Sequence, residues 1–181
     1  MLIVGVDTYI TVAEADEYVS THRVSTDPLR VQWEAMSESD KEVYLRKAFD
    51  QINSLPYVGK PMNPKQQLPF PRKLACWDNT WTEQDQQRVK NAQAAQSVAT
   101  TDAVAAQEVE NRIALRRAGV KQYKIGDLSE QFIDGLPADS NANFFGLEET
   151  AYHSLSKWLR GGYKVCTSIK PHFGIRWGYL V

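Results

Sequence analysis

Proline is concentrated in one short part of this chain, and that concentration limits where helices can form. Five of the eight prolines lie between residues 56 and 71. Because proline lacks the N–H group that an interior helical residue donates, helices must lie on either side of this segment. The segment and its continuation also contain Tyr57, Phe70, Trp77 and Trp81, whereas disordered linkers contain few aromatic residues. We therefore predict that residues 56–81 are an ordered loop whose aromatic rings insert into the core.

Two amphipathic helices are predicted before this loop. In YITVAEADEYVSTHR, Thr11 and Glu14 have the spacing of a capping box. The predicted inner face of this helix consists of Val12, Ala15, Val19 and His22. The second helix, SESDKEVYLRKAFDQINSL, begins at Ser37 or Ser39 and ends before Pro56. Its predicted inner face consists of Leu45, Ala48, Phe49, Ile52 and Leu55. The intervening residues 24–36, with Pro28 and Trp33, are predicted to form a loop.

The chain after the proline loop is also predicted to be mostly helical. Residues 82–118 form a long helical segment in which seven of the fifteen residues 92–106 are alanine. The TTD sequence at 100–102 could divide it, with Asp102 capping the second part and Gly119 ending it. A hairpin near 120–133 is predicted from GVKQYKIGDLSEQF. A last helix is predicted from LEETAYHSLSKWLR, and Gly161 and Gly162 would end it. The predicted inner face of that helix consists of Leu147, Ala151, Leu155, Trp158 and Leu159.

These patterns predict a mainly α fold, a helical bundle with a small β-hairpin and an extended C-terminal tail. Residues 1–162 would form the helical domain, and residues 163–181 would form the tail.

Charge is distributed unevenly along the chain. Residues 1–149 contain 16 Lys and Arg against 22 Asp and Glu, whereas residues 150–181 contain five cations and no acid. The tail therefore has either an acidic partner of its own or the acidic body of its own subunit as its partner.

The sequence offers no arrangement of catalytic or metal-binding residues. The three histidines and two cysteines lack metal-ligand spacing; they are His22, His153, His172, Cys76 and Cys166. RGGY at 160–163 resembles an RNA-binding unit, but a single copy at a helix end is also a simple helix cap. We expect no enzyme activity, no metal and no cofactor. Two cysteines fit a reducing compartment. The opening MLIVGVD has no basic region, and its apolar run is too short for a signal peptide. No apolar window predicts a membrane span. We expect a protein made in the cytoplasm.

The QQLPFPRK stretch within the proline loop allows two roles. An exposed PFPR in polyproline II form could be a peptide ligand. Alternatively, the prolines stiffen the loop while Phe70 fills a hole in the core and Arg72 bonds to a helix end or an acidic side chain. The aromatic surroundings favour this structural clamp, whose predicted residues are Leu68, Pro69, Phe70, Pro71 and Arg72.

The order of these segments resembles a known family. Residues 9–73 and 119–132 are similar to the small phage proteins labelled putative DnaT-like single-stranded-DNA-binding proteins, which look like head–tail connector, or adaptor, proteins. The resemblance implies a virion structural protein that forms a ring, of twelve subunits, below the portal at the virion neck. Its implied partners are the portal protein, other neck and tail proteins, further copies of itself and genomic DNA, which passes through the channel without sequence-specific binding. No membrane is implied. The alanine-rich helix would contact neighbouring subunits closely.

The alternative function is single-stranded-DNA binding, as the family label says. That function needs cations with stacking aromatic residues, which only residues 157–181 combine. In the connector, the tail would instead dock on the portal as an added strand. The predicted docking residues are Phe173, Ile175, Arg176, Trp177, Tyr179 and Leu180. The same strand could also complete the sheet of the chain's own hairpin.

Overall fold

The computed structural model describes residues 2–74, 81–102, 122–125, 128–131 and 145–159, with helical backbone also at residues 107, 111, 114 and 115. The helices are α1 (Val12–His22), α2 (Pro28–Glu34), α3 (Glu38–Asn53), α4 (Glu83–Ala99) and α5 (Glu149–Leu155). The strands are β1 (Lys60–Pro61), β2 (Arg72–Lys73), β3 (Gln122–Ile125) and β4 (Leu128–Gln131). Strands β3 and β4 pair antiparallel. The predicted mainly helical fold with a β-hairpin is confirmed.

The ends of α1 and α3 follow the capping signals in the sequence. The Thr11 hydroxyl accepts a hydrogen bond from Glu14 N at 3.2 Å, and the Glu14 carboxylate accepts one from Thr11 N at 2.7 Å. Ser37 caps α3 by accepting from Asp40 N at 3.2 Å. The inner faces are as predicted except at His22, which is exposed and stacks on the buried ring of Tyr18 at 4.1 Å.

The predicted loop over residues 24–36 is wrong, because it contains α2. Asp27 caps this helix by accepting a hydrogen bond from Leu29 N at 2.9 Å, and Pro28 occupies the first turn, where a missing N–H costs nothing. Trp33 is fully buried, and its indole N–H donates to Asp16 Oδ1 at 2.8 Å. This bond joins α2 to α1.

Helix α4 lies at the centre of the bundle and packs against α1, α2, α3 and α5. Its buried residues include Ala92, Ala94, Ala95 and Val98. Small side chains allow this close approach on several sides. The alanine-rich surface predicted to contact neighbouring subunits is therefore used inside the subunit over the described part of that helix. Helix α4 ends at Ala99, at the TTD sequence that was predicted to divide the segment.

Two glutamines of α4 connect the helices through buried hydrogen bonds. Gln93 is fully buried; its Oε1 accepts from Tyr9 N at 2.7 Å, and its Nε2 donates to Leu45 O at 2.8 Å and Thr8 Oγ1 at 2.9 Å. Gln96 Oε1 accepts from Glu148 N at 2.8 Å. Helix α4 therefore positions the N-terminal segment, α3 and the start of α5.

The last helix is shorter than predicted: α5 ends at Leu155 and not at the glycine pair 161–162. A turn follows, in which Trp158 N donates to Leu155 O at 2.9 Å. Trp158 and Leu159 are still buried, as their predicted inward positions require. None of the helices in the described residues has the length and apolar character of a membrane span.

A buried ion pair fixes this turn to α4. Asp85 is only 4% exposed, and Lys157 Nζ lies 2.7 Å from its Oδ1. Burial alone would raise the pKa of the Asp85 carboxyl, but hydrogen bonds from Lys157 and from Thr82 N outweigh it and lower the pKa below 3.8. Because the folded pKa is lowered, the ionised carboxylate stabilises the fold above the unfolded pKa, and this stabilisation disappears as the pH falls through the folded pKa.

Asp85→Asn is expected to lower the free energy of unfolding at neutral pH by roughly 1–3 kcal/mol, since it removes a charged hydrogen-bond acceptor from Lys157. The difference from the native protein should shrink as the pH falls below about 4. Urea unfolding at several pH values measures it. Glu83→Gln, at an exposed acid two residues earlier in α4, is the matched control. A stability difference that stays constant with pH would contradict the assigned role of Asp85.

Candidate functional site

The proline loop has an inner face formed around Phe70. This side chain is 5% exposed. Four aromatic rings surround it, with centroid distances of 4.7 Å to Tyr57, 5.2 Å to Trp158, 5.9 Å to Trp81 and 6.2 Å to Tyr9. These rings come from the N-terminal segment, the loop itself, the start of α4 and the turn after α5. Phe70 thus joins distant parts of the chain, and the ring is covered by the protein's own aromatic residues.

Arg72 holds the two ends of the loop together. Its Nε donates to Val58 O at 3.0 Å, its Nη2 to Gly59 O at 2.9 Å and its Nη1 to Pro69 O at 3.2 Å. The guanidinium also lies 5.5 Å from the Tyr57 ring centroid. The predicted partners of Arg72, a helix end or an acidic side chain, are wrong. The partners are loop carbonyls, so the positive charge is not neutralised by a carboxylate in the described part of the chain.

Arg72→Lys is expected to lower the free energy of unfolding by about 1–3 kcal/mol, because an ammonium cannot reach carbonyls on both sides of the loop as a planar guanidinium does. Thermal or urea unfolding measures this loss. The adjacent Lys73→Arg, at an exposed position, is the control and should leave the stability within about 0.5 kcal/mol of native. Equal stability of the two variants would mean that charge alone suffices at position 72.

A short antiparallel strand pair fixes the outer face of the loop. Lys60 in β1 lies opposite Lys73 in β2. Gly59, immediately before β1, has φ +78°, and a Cβ there would lie 2.1 Å from Lys73 O. Only glycine allows both this backbone conformation and this approach. The two strands are therefore held close enough to place Lys60 and Lys73 side by side.

The outer face, which we call the lysine face, carries the paired Lys60 and Lys73, and we include Lys65, which follows Lys60 by five residues in the same loop. All three are exposed, and none has a carboxylate partner among the described residues. Residues 51–77 contain no Asp or Glu. Like charges directly opposite each other destabilise a strand pair, so a bound anion would stabilise this one. The lysine face thus carries exposed positive charge that no carboxylate of the described residues neutralises.

Most cations of the helical bundle, unlike those of the lysine face, form ion pairs with carboxylates. Their nitrogen–oxygen distances to carboxylates are 2.8 Å for Arg23–Asp27, 2.8 Å for Arg30–Glu34, 2.9 Å for Lys41–Asp16 and 2.6 Å for Lys90–Glu14. The carboxylate in each pair lowers the attraction of that surface for another anion. The lysine face therefore differs from the bundle surface in charge as well as in structure.

The loop is attached to the end of the described chain. Val58 N donates to Trp158 O at 2.7 Å, and Tyr57 forms an antiparallel bridge with Leu159. Leu159, the last of the described residues, therefore lies beside the loop. This junction links residues that are about a hundred positions apart in the sequence, so it carries no local sequence signal.

No exposed aromatic side chain accompanies the lysine face in the described residues. Wherever their exposure is described, the Tyr, Trp and Phe side chains are buried or half-buried. A stacking platform for nucleic-acid bases is therefore lacking in these parts of the chain. What the lysine face can bind is an anion, such as a phosphate, through charge.

A family model described as "Putative DnaT-like ssDNA binding protein" matches residues 2–168. The chain belongs to this family. The resemblance seen in the sequence covered residues 9–73 and 119–132, and residues from 163 onward had no clear counterpart. The family model matches a longer part of the chain, up to residue 168. Searches of curated proteins and of solved structures found no significant match. The family of this DnaT-like chain is therefore known from its sequence, whereas its candidate anion-binding site is inferred from its own structure.

The residues predicted for function divide into two sets in the DnaT-like chain. The clamp residues 68–72 all lie in the described loop, where Phe70 is buried and the other four are half-buried. The predicted docking residues 173, 175–177, 179 and 180 lie outside the described residues, as do Cys76, Cys166 and His172. His153 lies 3.6 Å from the Glu149 carboxylate on the surface of α5. Within the described ranges, no group of three His, Cys, Asp or Glu side chains could hold a metal ion.

The lysine face was not predicted from the sequence. The available signal was the absence of acids between residues 51 and 77, a stretch that contains Lys60, Lys65, Arg72 and Lys73. The prolines and aromatic residues of the loop predict only its inner face.

Proposed function

We propose that the protein binds single-stranded DNA through backbone phosphates and without base preference. The observation that carries this proposal is the lysine face, whose exposed cations have no carboxylate partners in the described chain. The family description supports the same ligand. Binding through phosphates alone is weak and strongly dependent on salt, since its free energy comes from the release of counterions.

Fluorescence anisotropy with labelled oligothymidylate and oligoadenylate of about 30 nucleotides tests this function. The full chain is expected to bind both oligonucleotides with similar affinity, and to bind them much more weakly at about 200 mM than at about 50 mM salt. Absence of binding at the lower salt concentration would overturn the proposal. A large preference for one base would contradict the phosphate mode.

A second candidate function is that of a phage head-to-tail connector, or adaptor. The specific observation in its favour is that no exposed aromatic side chain accompanies the lysine face in the described residues. Cations without stacking partners suit DNA that slides past a surface more than DNA that is held. In this function the subunits form a ring below the portal at the virion neck, and the protein is made in the host cytoplasm. In both functions it acts by binding, without catalytic turnover.

A connector ring needs contacts between subunits other than the buried alanines of α4. The N-terminal turn offers exposed apolar side chains, with Ile3 58%, Val4 50% and Val6 60% exposed. The turn is well fixed, since Ile3 N donates to Asp7 Oδ1 at 2.6 Å and Gly5 N to Thr8 O at 2.7 Å. The mass of the purified protein in solution, alone and with the portal protein, tests the connector function. A monomer that does not bind portal would overturn it.

Deletion of residues 171–181 separates the possible roles of the tail. Loss of portal binding by an equally stable monomer would support docking on the portal. An unfolded monomer would support a strand that completes the protein's own hairpin. Unchanged portal binding with loss of salt-sensitive DNA binding would exclude docking and support a DNA-binding tail.

A further inference from the structure

Helices α1 and α4 border a groove whose lining does not include the lysine face. The volume of the groove is about 370 Å³, which is within the range of small-ligand sites. Its floor is apolar, because Ile10 and Ala94 line it and are each 1% exposed. Its rim is polar and exposed, with Glu17, Thr21 and Gln87. The groove therefore suits a side chain with an apolar stem and a polar end.

The groove carries one uncompensated negative charge when His22 is neutral. Lys90 Nζ lies 2.6 Å from Glu14 Oε1, so these two charges cancel. Thr11 N donates to the other oxygen of the Glu14 carboxylate at 2.7 Å. Glu17 is exposed, and its carboxylate has neither a cation nor a hydrogen-bond donor in the described chain. The groove therefore attracts a cation, whereas the lysine face attracts an anion.

A buried hydroxyl in the lining of the groove also lacks a partner. Tyr18 is 8% exposed, and no described residue forms a hydrogen bond with its hydroxyl. Such a group costs free energy, and buried polar side chains nearly always have a partner in the protein or from outside it. Burial raises the pKa of the Tyr18 hydroxyl. The hydroxyl is therefore neutral at physiological pH, and its oxygen can accept a hydrogen bond from the N–H of a cation.

The aromatic part of the groove is held in one orientation. The rings of His22 and Tyr18 stack with a centroid distance of 4.1 Å and an interplanar angle of 16°. His22 Nδ1 lies 2.9 Å from Tyr18 O, and this nitrogen is the donor because a carbonyl can only accept. One face of the imidazole is thus covered by Tyr18, and the residue is otherwise exposed. A flat guanidinium group packs against such a ring better than a compact ammonium group does.

These features favour an arginine side chain within a protein over other ligands. A carboxylate binds a guanidinium through two parallel hydrogen bonds, whereas Glu17 repels a DNA phosphate. Free arginine would also bring its own carboxylate into the groove. Lys90, the only Lys or Arg among the lining residues, is already paired with Glu14 and offers that carboxylate no partner. An arginine within a polypeptide has no such carboxylate.

We propose that the groove between α1 and α4 docks an arginine side chain of a partner protein, whose guanidinium pairs with Glu17, bonds to the Tyr18 hydroxyl and packs flat against His22. The aliphatic stem of the arginine lies on Ile10 and Ala94. This inference does not depend on DNA binding, because the groove and the lysine face share no residue. A subunit that holds DNA through the lysine face still has this groove free for a protein.

Titration of the isotope-labelled full chain with acetyl-arginine amide, followed by nuclear magnetic resonance, tests the docking site. The dissociation constant is expected to be roughly 1 mM, which is typical of a ligand of this size. The shifted amide signals should include residues 17–22 of α1 and 87–91 of α4. Acetyl-citrulline amide has the same shape without the charge and should bind about tenfold more weakly. Acetyl-lysine amide has the charge without the plane and should bind about threefold more weakly.

Two variants connect this binding to named side chains. Glu17→Gln is expected to weaken binding of acetyl-arginine amide about tenfold, and Tyr18→Phe about threefold. Tyr18→Phe should melt at or above the native temperature, because the hydroxyl that it removes has no partner among the described residues. Its weaker binding is then not a loss of fold. Glu38→Gln, at an exposed acid of α3, is the matched control and should bind like native protein.

Several outcomes would overturn the docking site. Absence of binding at roughly ten times the expected dissociation constant would do so, as would shifts confined to residues outside α1 and α4. Equal affinity for the citrulline derivative would exclude pairing with Glu17, and equal affinity for the lysine derivative would exclude selection of a guanidinium. Tighter binding of free arginine than of the blocked form would assign the groove to the free amino acid and not to a partner protein.

Discussion

Phe70→Ala is expected to lower the free energy of unfolding by about 3–5 kcal/mol, the range for loss of a fully buried aromatic side chain. The ring is 5% exposed and contacts Tyr9, Tyr57, Trp81 and Trp158. These partners come from four separate segments, so none can move into the cavity without losing contacts of its own. Equilibrium unfolding in urea gives the change in free energy.

The control for this substitution is Val43→Ala, which truncates a side chain of α3 that is 58% exposed. It should change the free energy of unfolding by less than about 0.5 kcal/mol. If Phe70→Ala were as stable as native protein, the ring would have to be exposed in solution. The PFPR stretch would then be free to serve as a peptide ligand.

The inner face of the loop was predictable because its signals are local. The prolines and aromatic residues lie within residues 56–81, between two predicted helices, and their pattern alone indicates an ordered segment with Phe70 inside. Trp77, which was predicted to insert as well, lies outside the described residues. The capping residues Thr11 and Ser37 similarly fix the starts of α1 and α3. Helix α2 was missed because it has only seven residues and so shows too few turns for a periodic pattern. Asp27 and Pro28 were its only local signals.

The outer face of the loop could not be predicted, because it depends on contacts between distant residues. The register of Lys60 with Lys73 requires the close approach at Gly59. The junction of the loop with the turn after α5 requires the hydrogen bond from Val58 N to Trp158 O. No pattern within a short window contains either piece of information. The charges are visible in the sequence, whereas their convergence is a property of the fold.

The same limit applies to the glutamines of α4. On this helix, Gln87 is exposed and Gln93 is fully buried. A glutamine is normally a surface residue, and nothing local distinguishes the two positions. The difference arises because Tyr9 N and Leu45 O, from the N-terminal segment and α3, converge on Gln93.

Gln93→Met is therefore expected to lower the free energy of unfolding by about 2–4 kcal/mol, although methionine has nearly the same shape as glutamine. Tyr9 N loses its acceptor, and Leu45 O loses a donor, around a side chain that is fully buried. Thr8 Oγ1 keeps its hydrogen bond to Ile10 O at 2.7 Å and loses less. Urea unfolding measures the loss, and hydrogen exchange at the Tyr9 amide should become faster in the variant, because that N–H is no longer bonded.

Gln87→Met is the matched control, since it makes the same chemical change on the same helix. Gln87 is exposed, and its Nε2 donates only to Asn91 Oδ1 at 2.8 Å, so the variant should stay within about 0.5 kcal/mol of native. Equal stability of the two variants would mean that burial of the methionine offsets all the hydrogen bonds of Gln93. Slow exchange at Tyr9 in Gln93→Met would show that its amide had found another acceptor. Either result would remove Gln93 as the residue that holds the N-terminal segment against α3 and α4.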